Sequence, residues 1–279
     1  MKCARPSSVC RNAATMLLAG AAIVAPALVG CQTTTSARSA SGARVMTASA
    51  QQAMSPAQVV EDLRLGNARF VAGTPDRHDY GSQVRETAGG QHPKAVVLSC
   101  IDSRVPPEIV FDQGVGDIFV GRVAGNFENE DLLGGMEYAT AVAGAKAIIV
   151  LGHSSCGAIK GAIDHVRLGN LTASLENVRP AIEAASAHAH ADHLDSHNAP
   201  FVQAVAEANV RQTMRDIMAR SEVLRERVER GELTIVGAVY DLKTGAVQWL
   251  NEDVSRHQVT HGDSALPGEH APARVWDAR

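Results

Sequence analysis

The stretch KAVVLSCIDSR, residues 94–104, decides how the rest of the chain is interpreted. It begins with a short apolar run rich in β-branched residues, which is typical of a strand buried on both faces of a parallel sheet. Cys100 stands at the predicted end of that strand, and Asp102 and Arg104 follow it at intervals of two. The cysteine could be half of a disulfide, a nucleophile, a metal ligand or a small core residue. This stretch alone leaves all four possibilities open.

Strands alternate with helices on the C-terminal side of this stretch. A second strand is predicted over 117–122, and 145–153 is the strongest strand candidate in the chain. The segment 233–250 predicts two further strands joined by a turn. Helices are predicted over 55–73, 128–144, 155–169, about 174–194 and about 200–231. This alternation predicts an α/β domain with a mainly parallel β-sheet flanked by helices.

Length and composition are those of an ordinary globular protein, and they narrow the function classes. The chain has 279 residues, of which 45% are hydrophobic and 20% charged, enough for one large domain or two small ones. Its formal net charge of −4 offers nothing to attract nucleic acid, and aromatic residues make up only 4%. We therefore predict no nucleic-acid partner and no stacking platform for bases or sugars.

The first 30 residues have the layout of an export signal. Three basic residues within the first eleven precede an uncharged, largely apolar run over 12–30. Cys31 then completes a segment, 28–31, that resembles a bacterial lipobox, in which the cysteine is lipidated and becomes the new N-terminus. We expect a signal peptide over 1–30 and lipidation at Cys31. A plain signal peptide cut nearby and an uncleaved membrane anchor are the alternatives.

The residue after Cys31 is Gln32 rather than Asp, which in such lipoproteins usually permits sorting to the outer membrane. We therefore expect an exported, periplasmic protein that is anchored to a bacterial membrane by its lipid. The residue after the cysteine indicates that this is the outer membrane. Residues 31–54 are small and polar and predict a flexible tether. A folded domain is expected over 55–250, followed by a C-terminal tail, 251–279, without periodicity.

Counting cysteines restricts the role of Cys100. Of the five cysteines, two lie in the predicted signal peptide and a third is Cys31. Only Cys100 and Cys156 remain in the folded domain. In an oxidising compartment two remaining cysteines form a disulfide by default, so any other role must be weighed against that one.

His153 and Cys156 suggest a different use for these sulfurs. They are three residues apart in GHSSCG, 152–157, across a predicted strand-to-helix turn, and this spacing lets both side chains face one small ion. Cys100 ends a neighbouring strand, and functional groups gather at the carboxyl ends of parallel strands. A Cys, His, Cys set suits zinc, and three protein ligands leave a fourth place open, as in catalytic zinc sites.

Asp102 and Arg104 add to this metal hypothesis. An aspartate two residues after a metal ligand could accept a proton or hydrogen bond from metal-bound water, or bind the ion itself. Arg104 could orient Asp102 and keep it ionised through a two-pronged hydrogen bond. The alternative is a surface ion pair in a loop, which normally contributes little to stability.

The two motifs together resemble those of the β-class carbonic anhydrases. That family has Cys-x-Asp-x-Arg and His-x-x-Cys, which stand here as CIDSR and HSSC. The surrounding segments 104–126, 134–139 and 157–163 are also similar to the family. The similarity extends over about 55–250, most of the chain after the predicted tether.

The resemblance implies a fold, a cofactor and a reaction. It implies the β-carbonic anhydrase fold and one Zn²⁺ per subunit, held by Cys100, His153 and Cys156, with Asp102 and Arg104 as the catalytic dyad. The implied reaction is the reversible hydration of CO2 to bicarbonate and a proton, by attack of zinc-bound hydroxide on CO2. The family also implies a homodimer or homotetramer, with some pocket residues contributed across the subunit interface.

Four further positions match the family's substrate pocket. Gln91 matches a substrate-orienting glutamine, and Gly157 matches a residue whose backbone amide lies near the substrate. Phe119 and Tyr138 match apolar or aromatic wall positions. Val97 stands where one subfamily has a tryptophan that forms an inhibitory bicarbonate pocket, so the resemblance implies the open type, in which Asp102 does not bind the metal.

The sequence departs from the family pattern at one position near the site. Val123 stands where many members have Asn, whereas Arg122 and Asn126 of the same stretch are retained. We expect this departure to leave the chemistry intact.

Other interpretations remain beside the resemblance. A disulfide between Cys100 and Cys156 would explain neither His153 nor the Asp–Arg pair, and a thiol oxidoreductase would need a Cys-x-x-Cys pair that is absent from the sequence. A non-catalytic zinc-binding domain of the same fold would use the same ligands without turnover. The histidine-rich stretch 188–197 is a solvated loop or helix end, or else a second metal site at His193 and His197.

Overall fold

The computed structural model describes residues 45–188 and 194–250. The predicted signal peptide, Cys31 and the greater part of the predicted tether lie outside the described residues. The predicted tail 251–279 and the middle of the histidine-rich stretch, 189–193, lie outside them too.

A five-stranded sheet forms the centre of the domain, in the order β2-β1-β3-β4-β5. Its strands are β1 Ala95–Ser99, β2 Ile118–Arg122, β3 Ala147–His153, β4 Thr234–Tyr240 and β5 Val247–Trp249. The first four pair in parallel and β5 pairs antiparallel with β4. The predicted mainly parallel α/β sheet is confirmed, and its strand boundaries differ from prediction by at most two residues.

Alternating residues of β1 and β3 enter two different cores, one on each face of the sheet. Leu98 and Ile148 belong to the core that α9, Ala199–Arg220, covers with residues such as Met214. Val97 and Ile149 belong to the opposite core. Because both faces are buried, these strands are apolar at nearly every position rather than at every second one.

Ten α-helices are described, with a π-helical turn between the fifth and sixth. The helices are α1 Ala48–Ala53, α2 Pro56–Val71, α3 Tyr80–Thr87, α4 Pro107–Val110, α5 Glu130–Glu137, α6 Gly157–Ile163, α7 Gly169–Glu176, α8 Arg179–His188, α9 Ala199–Arg220 and α10 Glu222–Glu229. Within the described ranges, none of them combines the length and the apolar character needed to span a bilayer.

The folded domain begins before Ser55, which corrects the predicted extent of the tether. Ser55 caps α2 as expected, in a capping box with Gln58. However, α1 precedes it, and the buried Gln51 of α1 donates to the backbone carbonyls of Pro93 and Ala143 at 2.6 and 2.7 Å. The small polar composition of this segment concealed a helix that tertiary hydrogen bonds hold in place.

Three of the predicted helices are divided in the structure. The one predicted over about 174–194 covers the end of α7 and the whole of α8. The segment predicted as one helix over about 200–231 breaks at Ser221, which ends α9 and whose side chain caps α10 by accepting from Leu224 N–H. The helix predicted over 128–144 passes from α5 into a π-helical turn, Tyr138–Val142. Such turns are frequent near functional sites.

The sheet register brings two sequence motifs to the same edge. In the β1–β3 pair, Ser99 lies opposite Leu151. Cys100 follows β1 and His153 ends β3, so both stand at the carboxyl edge of neighbouring central strands. This is the edge where open α/β sheets bind their ligands.

Candidate metal centre

Three potential metal ligands converge at this edge. The Sγ atoms of Cys100 and Cys156 and a ring nitrogen of His153 all lie within 4.8 Å of one another, and all three residues are buried. The two sulfurs are free and 3.9 Å apart. One tetrahedral ion can therefore contact all three ligand atoms, which is the arrangement the two motifs predict.

The environment of His153 prepares one of its nitrogens for a metal. Its Nδ1 lies 3.0 Å from the backbone carbonyl of Ser154, and a carbonyl only accepts, so Nδ1 carries the proton. Nε2 then has a free lone pair. Nε2 is buried and has no hydrogen-bond partner among the described residues. A buried, unpaired acceptor beside two thiols fits a metal ion, because ligation would satisfy it.

Local backbone geometry places Cys156 close to the end of β3. Ser155 has a φ of 53°, and this left-handed residue turns the chain sharply between His153 and Cys156. Cys156 is the N-cap residue of α6. His153 at the end of β3 and Cys156 at the start of α6 therefore come together, because the chain reverses its direction at Ser155 between them.

The two thiols influence each other's ionisation. A hydrogen bond from Cys156 holds the pKa of Cys100 well below its usual value, and the Gly125 N–H, 3.4 Å from the Cys100 sulfur, acts in the same direction. The same sulfur–sulfur bond, together with burial, raises the pKa of Cys156. Without a metal charge, one thiolate forms readily and the second resists. A divalent cation supplies the positive charge that two adjacent thiolates need.

Asp102 and Arg104 form a two-pronged pair at the mouth of this centre. Arg104 donates from Nε to Oδ1 at 2.9 Å and from Nη2 to Oδ2 at 2.7 Å, and its backbone N–H also donates to Oδ1 at 3.0 Å. These bonds hold the pKa of Asp102 well below its usual range. The side chain of Asp102 is 15% exposed and that of Arg104 is 59% exposed. The carboxylate thus faces inward with its charge compensated from the solvent side.

The pair lies beside the ligands. The Asp102 Oδ2 atom is 3.9 Å from the free Nε2 of His153. Both carboxylate oxygens accept hydrogen bonds from Arg104, so the carboxylate lies next to the candidate ligands while it remains bound to the arginine.

Arg122 has a part in the site to which the sequence alone assigned no role. From the end of β2 it donates to the backbone carbonyls of Cys100 and Asp102 at 2.8 and 2.6 Å. It thereby fixes the chain that carries the first ligand and the carboxylate. The only sequence signal was its place in the stretch that resembles the family, since no spacing rule predicts a contact to carbonyl groups.

The residues predicted for the substrate pocket are divided between two places. Phe119 and Tyr138 contact each other edge to face, with ring centroids 6.1 Å apart. Tyr138 and Gln91 line a groove of about 920 Å³ whose lining includes none of the three metal-ligand candidates. Gly157 starts α6 directly after Cys156. Apart from its chain neighbours and the backbone of its own helix, no described heavy atom lies within 4 Å of the place a Cβ would occupy. Gly157 therefore borders the metal centre and Gln91 faces a separate groove.

Comparison with known proteins now identifies the family. The family described as carbonic anhydrase matches residues 95–247, more than half of the chain. Carbonic anhydrase 2 of Mycobacterium tuberculosis is 39% identical over 191 residues, which cover 68% of this chain and 90% of that protein. The structure of the Coccomyxa β-carbonic anhydrase, in complex with acetazolamide, matches with a TM-score of 0.56 at 27% identity. This chain belongs to the β-class carbonic anhydrase family.

The structural likeness extends over most of the described domain. The Coccomyxa β-carbonic anhydrase match covers 71% of this chain and 86% of that one. A tetrameric β-carbonic anhydrase from Sordaria macrospora matches with a TM-score of 0.54 at 25% identity, over 60% of this chain and 85% of that one. The predicted fold and the zinc cofactor are confirmed, because β-carbonic anhydrases use zinc and this chain has a group able to hold one ion.

Proposed function

We propose that this β-class carbonic anhydrase catalyses the zinc-dependent, reversible hydration of CO2 to bicarbonate and a proton, with Cys100, His153 and Cys156 as the zinc ligands. The observation that carries the proposal is the buried three-ligand group with the Asp102–Arg104 pair directly beside it. Family membership supports carbonic anhydrase activity, and the geometry of this group supports the roles of the individual residues.

A zinc ion held by Cys100, His153 and Cys156 would act as a Lewis acid that lets water ionise near neutral pH. In carbonic anhydrases of the three-histidine kind, zinc lowers the pKa of water to about 7.

The chain's own residues orient the reaction around that place. His153 keeps its Nε2 lone pair free because its Nδ1–H is engaged by the Ser154 carbonyl. Asp102, ionised and held by Arg104, would accept a hydrogen bond or a proton from the water that reacts with CO2. Since both carboxylate oxygens are bonded to Arg104, Asp102 stays with the arginine rather than ligating the metal, which supports the open type implied by Val97.

The substrate pocket is completed by a second subunit in this proposal. Gly157 belongs to the subunit whose metal is used, whereas Gln91 and Tyr138, with Phe119 in ring contact with Tyr138, reach the site of the neighbouring subunit. Two observations support this division: the groove lined by Gln91 and Tyr138 excludes the ligands, and Tyr138 is half exposed in the single chain. The Sordaria macrospora relative is a tetramer, and we propose a homodimer or homotetramer here.

The deciding experiment is CO2 hydration by stopped flow, together with zinc analysis, on the wild type and on Asp102→Ala. We expect about one zinc per wild-type subunit and a fall in kcat/KM of roughly 100-fold in the variant, because a positioned proton acceptor typically contributes 10²–10⁴-fold. Zinc content should be unchanged, since Asp102 is not a ligand in this proposal.

Asp76→Ala is the matched control. Asp76 is also a loop aspartate in an ion pair, 3.5 Å from Arg69, but it lies outside the metal centre. We expect wild-type activity from it. A zinc-replete wild type without CO2 hydration above background would instead establish the non-catalytic zinc-binding domain as the correct function.

We also propose that the protein is exported and anchored to a bacterial membrane by lipid at Cys31, with the signal sorting it to the outer membrane. Support comes from the basic and apolar layout of residues 1–30 and the lipobox-like segment 28–31. Cys31→Ala should move the protein from the membrane fraction of cells to the soluble fraction, because the lipidation site is lost. An unchanged distribution on fractionation would contradict the lipid anchor.

A further inference from the structure

A tight turn supplies a hydrogen bond to one of the ligand sulfurs. The turn over 123–126, which we call the sulfur-facing turn, is closed by Asn126 N–H donating to the Val123 carbonyl at 3.0 Å. At its third position, Gly125 has a φ of 92°, and Asn126 follows with a φ of 43°. The Gly125 N–H donates to the Cys100 Sγ at 3.4 Å. Two successive left-handed residues are thus held in a conformation that aims an amide at a metal ligand.

Consecutive residues with a left-handed backbone conformation persist only where the surrounding structure restrains them. Glycine supplies the positive φ that the third position of such a turn needs, but it is also the residue with the greatest freedom to leave that conformation. The direction of the Gly125 N–H therefore depends on contacts from elsewhere in the fold.

The restraint comes from α9, more than 80 residues further along the chain. Asn209 donates from Nδ2 to the Gly125 carbonyl at 2.7 Å, and Thr213, one turn later, donates from Oγ1 to the Asn126 carbonyl at 3.5 Å. Asn209 is 1% exposed, so water cannot replace the Gly125 carbonyl as the hydrogen-bond partner of its side-chain amide. The two side chains hold the two consecutive carbonyls of the sulfur-facing turn.

We propose that Asn209 is a positioning residue of the zinc centre. By holding the Gly125 carbonyl it keeps the Gly125 N–H directed at the Cys100 thiolate, and this hydrogen bond stabilises the thiolate as a zinc ligand. Asn209 touches neither substrate nor metal, and it belongs to neither sequence motif. The inference rests on the zinc ligands proposed above and adds a residue from a helix on one face of the sheet.

The expected size of the effect follows from the chemistry of such partners. Hydrogen bonds to a ligand orient it and set its basicity, and their loss typically costs 10–100-fold in metal affinity. Replacing Asn209 by an apolar residue of similar volume removes the donor and leaves the Gly125 carbonyl unpaired. The turn can then relax, and the amide is no longer held toward the sulfur.

Asn67 provides a matched control within the same protein. It is likewise buried, at 6% exposed, and donates to two backbone carbonyls, those of Val110 and Gly245, at 3.0 and 2.9 Å. It lies on α2, whose residues pack in the core on the opposite face of the sheet from the α9 core. Asn67 also accepts from the Val247 N–H at 2.9 Å, so Asn67→Leu removes a buried amide with at least as many hydrogen bonds without touching the sulfur-facing turn.

The experiment compares Asn209→Leu with Asn67→Leu in the full-length zinc-loaded protein. We measure the rate of zinc release to a chromogenic chelator, and the thiolate-to-cobalt charge-transfer bands after exchange to Co²⁺. Both variants should unfold at a lower temperature than the wild type. Only Asn209→Leu should release zinc at least roughly tenfold faster and shift the cobalt bands.

The outcomes separate this inference from the proposed function. Wild-type protein that binds no zinc would overturn the ligand assignment itself. A wild type that holds zinc, with Asn209→Leu releasing it no faster than Asn67→Leu and with unshifted cobalt bands, would overturn only the role of Asn209. If Asn209→Leu does not fold, Asn209→Ser and Asn67→Ser are compared by the same two measurements, with the same outcomes deciding.

Discussion

Asp112 shows how a single buried residue outside the metal centre links stability to pH. Its side chain is 2% exposed, and its carboxylate accepts from Arg69 Nε at 2.5 Å, from the Asp76 N–H at 3.0 Å and contacts His78 Nε2 at 3.0 Å. Burial opposes ionisation, but these three partners outweigh it and lower the pKa of Asp112. Its φ of 51° lies in the left-handed region, which Asn also tolerates.

Asp112→Asn should therefore lower the free energy of unfolding at neutral pH without straining the backbone. A carboxylate whose pKa is depressed on folding stabilises the protein above its unfolded pKa of about 3.9, and this stabilisation is lost as the pH falls through the lower folded value. The difference between wild type and variant should narrow below about pH 4. Urea unfolding across pH 3–8 checks this, and a difference independent of pH would contradict it.

At the same scale, the convergence of the three candidate ligands and the pairing of Asp102 with Arg104 were predictable from residue types and spacing. Cys100, His153 and Cys156 converge as the two motifs predict, and Asp102 pairs with Arg104 in the expected two-pronged way. The roles of Arg122 and Asn209 were not predictable, because both act by donating to backbone carbonyls. A carbonyl exists at every residue, so sequence carries no signal that selects which one is contacted.

At the scale of elements, the close approach of α2 to the segment after α4 depends on one residue without a side chain. A Cβ built on Gly66 of α2 would lie 1.9 Å from the backbone oxygen of Phe111. The obstructing atom belongs to the backbone and cannot rotate away. The packing of α2 on the sheet therefore requires glycine at this helical position, although glycine weakens a helix interior.

Gly66→Ala should lower the free energy of unfolding by roughly 3 kcal/mol, because α2 must move away from Phe111. Gly81→Ala, in α3, is the control: the nearest atoms to its added Cβ are 3.6 Å away, and alanine improves helix propensity by up to about 1 kcal/mol. Denaturant unfolding of both variants is the measurement. A Gly66→Ala protein as stable as the wild type would mean that the two elements do not approach so closely.

Element boundaries were predicted well where local signals are strong. The strands β1, β2 and β3 and the capped start of α2 follow the sequence pattern to within two residues. The sequence did not predict the short α1, because tertiary hydrogen bonds of Gln51 hold that helix in place. It also did not predict the break in the helix over 200–231, because the break depends on Ser221 capping α10. Helix propensity summed over a window of sequence detects neither the tertiary hydrogen bonds nor the capping residue.

At the scale of the whole molecule, the proposed sharing of sites between subunits has a direct test. Homo-oligomers of Asp102→Ala and of Gln91→Ala should each have low activity. In a mixed oligomer, a Gln91→Ala subunit keeps Asp102 and receives Gln91 from its Asp102→Ala neighbour, so one site is complete. Mixing the two variants by unfolding and refolding together should restore a substantial fraction of CO2 hydration activity.

The control for this experiment is mixing each variant with itself through the same refolding procedure, which should restore nothing. The mixture could instead have only the summed activity of the two variants, although mass spectrometry shows that mixed oligomers have formed. Gln91 would then act in the same subunit as the zinc it serves. Gln91 would then have to leave the groove it lines in the single chain.

The sequence by itself determined the class of fold, the convergence of three candidate zinc ligands, the aspartate–arginine pair and the family resemblance. Each of these depends on residue types, on short spacings, or on strand ends that parallel topology brings to one edge. The tertiary structure decided where α1 lies, which carbonyls Arg122 and Asn209 hold, and that Gln91 opens on a groove apart from the three candidate ligands. These depend on contacts between residues far apart in the chain, whose geometry is created only when the helices pack on the sheet.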